Sequence, residues 1–239
     1  MPQGICAQQD EEASPSETLT EIAHVTKCTV YSFNYPSVDA HGEPIVLSSA
    51  LFAWTPPDKQ ETDSIESLHI YSHITVTADS DRPSTTSGFS KEQGLLQLLP
   101  DRYYSLTSTS STADYVSRCI IIAPDYEGYG ITKDRPHPYL SERITAQQVI
   151  DGVRYGLELY EKCVSEGTLN ILPMKSDWRS FSMGYSQGGA VSLAVHRHIE
   201  EKGLTDELRF QGTLCGDGPY DLINTIRFYL EDDGTSYGV

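Results

Sequence analysis

Apolar positions along the chain change rhythm several times, and each change predicts a different element. From Lys27 to Tyr35, apolar Cys28, Val30, Tyr31, Phe33 and Tyr35 mostly alternate with polar residues, the period of a strand with one buried face. Pro36, Asp39 and Gly42 mark a turn, Ile45 to Trp54 is the neighbouring strand, and Pro56-Pro57 ends it. The pair predicts an antiparallel opening to a sheet. Leu68 to Thr77 predicts a third strand, with Ser72-His73-Ile74-Thr75 near its end. Asp79 to Gly88 has no periodicity and predicts a surface loop. Lys91 to Leu99 predicts a short helix stopped by Pro100, and Tyr103 to Thr112, rich in Ser and Thr, carries no assignment.

Cys119-Ile120-Ile121-Ile122-Ala123 is apolar without alternation, as a central parallel strand covered on both faces requires. It runs into Pro124-Asp125-Tyr126-Glu127-Gly128-Tyr129-Gly130, the glycine-rich strand end where open α/β sheets present ligand-facing loops. Asp125 reads there as a hydrogen-bond acceptor that fixes the loop. His137, held between Pro136 and Pro138, reads as a surface residue. Val149, Ile150, Val153, Leu157, Tyr160 and Val164 recur at helical spacing and share one face, and Gly167 ends that helix. Trp178 to Met183 is again strand-like, Ala190 to Glu201 is helical up to Gly203, Phe210 to Cys215 is a short strand, and Leu222, Ile223, Ile226 and Leu230 open an amphipathic helix.

The order of these elements predicts an α/β protein: a mostly parallel sheet with antiparallel N-terminal strands and helices on both faces. Residues 1–24 are expected to be a disordered acidic leader, and 25–239 a partial domain lacking its final strands.

Composition narrows the partners. The 239-residue chain carries a formal charge of -17, which repels nucleic acid and anionic membrane surfaces but leaves a neutral substrate unaffected. No apolar run reaches the roughly 18 residues of a membrane span. Met1 to Ala7 lacks the basic and apolar regions of a signal peptide. Gln8 to Glu21 has the character of a leader that follows a cleaved signal, so the natural precursor is expected outside the cytoplasm or in the periplasm, with a cytoplasmic protein as the alternative. Of the five cysteines, Cys119 and Cys215 read as small core residues.

The chemistry concentrates in Gly184-Tyr185-Ser186-Gln187-Gly188, a Gly-x-Ser-x-Gly pattern between a strand and a helix. That pattern puts a serine on a sharp turn with its hydroxyl exposed, and only small neighbours leave room for it. A serine hydroxyl needs a base, and the base needs an orienting group. The backbone N–H of Gln187, opening the helix, is the expected oxyanion donor, with a second from the Ser72 to Thr75 loop, Ile74 or its neighbours. His73 in that loop reads as structural.

Ala123-Pro124-Asp125-Tyr126-Glu127-Gly128-Tyr129-Gly130 together with Gly184-Tyr185-Ser186-Gln187-Gly188-Gly189 resembles the secretory-lipase and esterase branch of the α/β-hydrolase superfamily. Gly216-Asp217-Gly218-Pro219-Tyr220-Asp221-Leu222 is similar to the stretch after the next core strand in that branch, and by element order the resemblance covers residues 27 to 230. It implies Ser186 as nucleophile, Gln187 and the Ser72–Thr75 loop as oxyanion donors, carboxylic esters, small or lipid-like and neutral, as substrates, and no metal or organic cofactor.

One departure stands out. The superfamily places its acid and then its histidine after the serine. Here the histidines after Ser186 are His196 and His198, both inside the helix that starts at the turn, where packing or surface roles are expected. Asp217 is a weak candidate for the acid, and Asp221 lies near it. The chain therefore reads as an N-terminal piece of a longer esterase that would be inactive or very weak by itself. The alternatives are a decayed, non-catalytic hydrolase fold with a binding role, and a serine peptidase or thioesterase.

Overall fold

The computed structural model describes residues 13–25, 28–55, 60, 62–85 and 118–231. Among the described residues seven strands, β1 (Thr20–Val25), β2 (Cys28–Val38), β3 (Pro44–Trp54), β4 (Ile65–Ser72), β5 (Cys119–Pro124), β6 (Met174–Tyr185) and β7 (Phe210–Gly216), form one sheet in the order β1-β2-β3-β5-β4-β6-β7. The first three strands and the β3–β5 pair are antiparallel, and β5, β4, β6 and β7 run parallel. Among the described residues there are three α-helices, α1 (Glu142–Glu166) and α2 (Gln187–Lys202), which pack on the sheet, and α3 (Leu222–Glu231). This is the fold class that the element order predicts.

β5 shows why continuous apolarity marks the centre. All six of its residues are buried. Ile120 and Ile122 join the large core cluster with Val149, Val153 and Tyr160 of α1 and Val191, Val195 and Ile199 of α2. Cys119, Ile121 and Ala123 point the other way, into a second cluster with Val30, Ala50, Phe52 and Tyr71. Burial pushes the Cys119 thiol up to about 12, so it behaves as a small apolar side chain.

Four expectations change. Thr20–Val25 is a strand paired with β2, and Ser16 N–H donates to Asn34 O while the Ser16 hydroxyl oxygen accepts from Asn34 N–H, so the stretch before residue 25 is not wholly a disordered leader. Its polarity misleads because an outer strand needs only partners for its backbone groups, and β2 supplies them. β4 ends at Ser72, earlier than Thr77, which leaves His73 to Val76 as a loop. Cys215 is exposed, because β7 is an edge strand paired only with β6. α1 begins seven residues ahead of its apolar stripe, after Ser141. The helix expected over Lys91–Leu99 and the unassigned Tyr103–Thr112 lie outside the described residues.

Registry aligns the ends that matter. Ser72 of β4 pairs with Gly184 of β6, and Tyr185 pairs with Gly216 of β7. The carboxyl ends of β4, β6 and β7 therefore share one rim of the sheet, with Pro124 of β5 leading to the same rim. That rim is where open α/β sheets hold ligands.

Replacing Ile122 by Ala is expected to cost about 2–5 kcal/mol of stability, whereas Leu214→Ala on the exposed edge costs under about 1 kcal/mol. Urea unfolding followed by circular dichroism measures both, and similar costs at the two positions would contradict this core.

Candidate active site

Ser186 sits at the turn from β6 into α2 with φ 56° and ψ −124°, a backbone state that costs a non-glycine residue about 1–3 kcal/mol. Three hydrogen bonds hold it there: Ser186 N–H donates to Gly216 O at 2.9 Å, and Ser186 O accepts from Gly189 N at 2.9 Å and Ala190 N at 3.3 Å. The turn closes so tightly that a Cβ on Gly184 would stand 2.1 Å from Gly188 O. A Cβ on Gly188 would stand 2.0 Å from Ser72 O, backbone that cannot step aside. The two glycines of the Gly-x-Ser-x-Gly pattern are thus fixed by contact between β6, α2 and β4. Ser186 itself is half-buried.

Gln187 is the first residue of α2, so its N–H has no acceptor within the helix and stands at the positive end of the helix dipole. Because the Ser72 and His73 carbonyls border Gly188, the loop bearing Ile74 lies beside that first turn. The structure thus brings Ser186, Gln187 and the Ile74 loop to one rim. His73 is buried in that loop, with Nδ1 2.6 Å from Ile74 O, Nε2 3.0 Å from Asp125 O, and its ring stacked on Tyr126 at 3.9 Å. Burial drives its pKa down from 6.5 to about 4, outweighing the two carbonyls, which favour the charged ring.

The loop after β5 is clamped by carboxylates. Buried Asp125 accepts from the Ser48 hydroxyl and from the Ser84 hydroxyl and N–H, the last at 2.9 Å, with Arg82 Nε at 3.6 Å. It fixes the loop, as its position suggests; burial, the largest influence, pushes its pKa up against these donors. Asp79 accepts from Gly130 N at 2.7 Å. Glu127 accepts from Arg135 Nε at 3.0 Å and Gln148 Nε2 at 2.9 Å, and Arg135 also reaches Asp39 at 2.7 Å.

His137 is not the surface residue its Pro-flanked context predicts. It is half-buried, its Nδ1 lies 2.7 Å from Glu127 O, and its Nε2 lies 2.7 Å from the side-chain Nε2 of Gln187. The cause is a close backbone approach: a Cβ on Gly128 would stand 2.6 Å from His137 Cα. Desolvation pushes the His137 pKa down despite the Glu127 carbonyl. The available signal was the glycine at 128, which lets the chain fold back on itself.

The acid candidates do not meet a histidine. Asp217 is exposed, with φ 48°, and accepts a hydrogen bond from Tyr185 at 3.0 Å. Asp221 caps α3 through Asn224 N at 3.0 Å. His196 faces Glu200 at 3.4 Å and the Phe210 ring, and His198 is buried in the body of α2. Among the described residues, no group of three or more His, Cys, Asp or Glu side chains is arranged to hold a metal ion. No helix among them is long and apolar enough to cross a membrane.

No protein-family model matches the sequence, and no curated protein sequence matches it. Solved structures do. The rice cell wall degrading esterase LipA from Xanthomonas oryzae superposes with a TM-score of 0.58 and 23% identity, covering 84% of this chain and 46% of its own. A Legionella pneumophila protein superposes with a TM-score of 0.60 and 21% identity, over 90% of this chain and 48% of its own. Candida antarctica lipase A gives 0.51 and 15%, over 88% and 43%. Strand order, the turn at Ser186 and these superpositions together define the α/β-hydrolase fold, and the chain has it. It spans about half the length of the solved structures it matches.

The buried His73 ring makes stability depend on pH. Its folded pKa, about 4, lies below the ordinary 6.5, so the stability associated with the neutral ring is full above pH 6.5 and is lost as pH falls toward 4. The expected loss is up to about 1.4 kcal/mol per pH unit. His137 and His198 act in the same sense. Urea unfolding at pH 7 and pH 5 measures this, and equal stabilities would refute a neutral buried ring.

Proposed function

We propose that this chain carries the nucleophilic half of a serine-dependent carboxylic ester hydrolase, with Ser186 as the nucleophile. The observation that carries the reading is the Ser186 backbone at φ 56°, ψ −124°, held open at the start of α2 beside an unshared helix N–H. Strain of this kind persists only where the surroundings impose it, and it clusters at reactive positions.

The chemistry runs through an acyl-enzyme. Ser186 Oγ attacks the ester carbonyl as a base takes its proton, and the carbonyl oxygen gathers negative charge. The Gln187 N–H, with a second donor from the Ile74 loop, stabilises that charge. The tetrahedral intermediate collapses, the C–O bond to the alcohol breaks, and the leaving oxygen takes up the proton. Water then attacks the acyl-serine by the same route and releases the acid.

The base and its orienting acid are proposed to come from further sequence of the same protein. Two observations support this reading: the solved structures with the same fold are about twice as long, and the strand and helix that follow α2 expose large apolar side chains. α3 buries none of its residues, leaving Ile223 72% and Leu230 81% exposed, and it follows in sequence an edge strand where Leu214 is 68% exposed. Surfaces of this kind mark contact with more protein. The substrate class is a neutral ester, since the chain's formal charge of -17 disfavours anionic ones.

In the full-length protein, Ser186→Ala is expected to lower hydrolysis of a short p-nitrophenyl ester by at least about a thousandfold, with binding preserved. Peptide mapping after fluorophosphonate labelling should place the adduct on Ser186. A retained rate, or an adduct elsewhere, would remove Ser186 from the reaction. A correctly folded full-length protein with no turnover and no adduct would favour the non-catalytic alternative.

A further inference from the structure

The Gln187 side chain is tied to a specific partner. It is 2% exposed, and the one hydrogen bond described for its amide is to His137, Nε2 to Nε2 at 2.7 Å. Chemistry fixes the direction of that bond. His137 Nδ1 faces the Glu127 carbonyl at 2.7 Å, and a carbonyl can only accept, so Nδ1 carries the proton. In the neutral ring Nε2 is then the acceptor, and the Gln187 amide donates to it.

Three tyrosines pack around the acceptor. Tyr126 lies parallel to the His137 ring with centroids 6.0 Å apart, Tyr129 is tilted at 5.1 Å, and Tyr139 meets it edge-on at 5.9 Å. Glu127, whose carbonyl receives Nδ1–H, is itself pinned through its carboxylate by Arg135 and Gln148. The ring is thus attached to the clamped loop after β5, and through Gln187 that loop is attached to the first residue of α2.

We propose that His137 is a positioning residue, which through the Gln187 amide fixes the start of α2 and so aims the Gln187 N–H at the ester oxygen. This rests on the ester-hydrolase reading of Ser186 and Gln187. First turns of helices fray readily, and an oxyanion donor works only where it is held in advance of the reaction. Anchoring the side chain of the donor residue is a direct way to hold its N–H, and losing the anchor leaves a buried amide unpaired. His137 touches neither the ester nor Ser186 in this role.

The test uses the full-length protein, with rates expressed per active site titrated by a p-nitrophenyl phosphonate. His137→Phe keeps the ring packing and removes the acceptor; Gln187→Leu removes the donor. Each should lower kcat about tenfold, less than the roughly 10²–10³ for deleting an oxyanion donor outright, with KM within about twofold. The double variant should be no slower than the slower single variant, because both changes break one link. In the unaltered protein, nitrogen NMR of the His137 ring should show the neutral form protonated at Nδ1. A ring protonated at Nε2, multiplicative losses in the double variant, or unchanged kcat per site with only a lower Tm would each overturn the proposal while Ser186 still titrates. Failure of Ser186 to titrate in the unaltered protein would instead overturn the ester-hydrolase reading, and this inference with it.

Discussion

The structure depends on one close approach, that of the start of α2 to the end of β4. With a virtual Cβ of Gly188 only 2.0 Å from Ser72 O, the helix backbone lies directly against the strand's last carbonyl. Two features of the rim follow from that contact. It requires β4 to stop at Ser72, where the chain leaves the sheet, and it sets the helix deep enough for Ser186 N–H to reach Gly216 O on β7. The left-handed conformation of Ser186 is the geometric remainder once both ends of the turn are fixed. Its cost of about 1–3 kcal/mol is set against three backbone hydrogen bonds and the packing of Val191, Val195 and Ile199 behind it.

A second framework, built on carboxylates, holds the facing loop. In a chain this acidic, burying Asp125 and Glu127 adds an electrostatic burden, and the structure meets it with donors on every side. Asp125 joins β3, through Ser48, to the segment around Ser84; Glu127 joins the loop to α1, through Gln148, and to Arg135. The two frameworks meet at the Gln187–His137 bond, where a helix start set by glycine contacts touches a loop set by buried charge. Neither framework alone would fix the relative position of Ser186 and that loop.

What was legible in the sequence was local, and what escaped it was not. Ile120 to Ile122 announced a central strand because burial on both faces leaves no polar position to alternate with. The 3.6-residue stripe from Val149 to Val164 announced α1, and Gly-x-Ser-x-Gly announced the turn, since each is a constraint among near neighbours. β1 escaped because its strand state comes from pairing with β2, and Thr20–Val25 carries little apolar patterning of its own. His137 escaped because its burial comes from the backbone at Gly128, folded against it. Cys215 looked like core because a short apolar run reads the same on an edge strand as on a central one, although only the central strand has cover on both sides.

The neighbours of the seven histidines bear on which of them could serve the proposed nucleophile Ser186. His24 is bonded to Thr29 and His41 sits at the β2–β3 turn, on strands separated from β6 by β5 and β4. His69 faces Ser67 from within β4, short of the rim. His73 has both ring nitrogens against backbone carbonyls, and its depressed pKa makes it a poor proton acceptor. His137 has its one lone pair engaged by Gln187. His196 and His198 point from the body of α2, several residues past its N-terminus, where they meet Glu200, Phe210 and the core. A general base must lie within hydrogen-bond reach of the hydroxyl it deprotonates and must have a free lone pair. In this arrangement no described hydrogen bond joins an imidazole to Ser186, and the His73 and His137 rings are committed to other neighbours, so the ester-hydrolase proposal requires a base from outside the described residues.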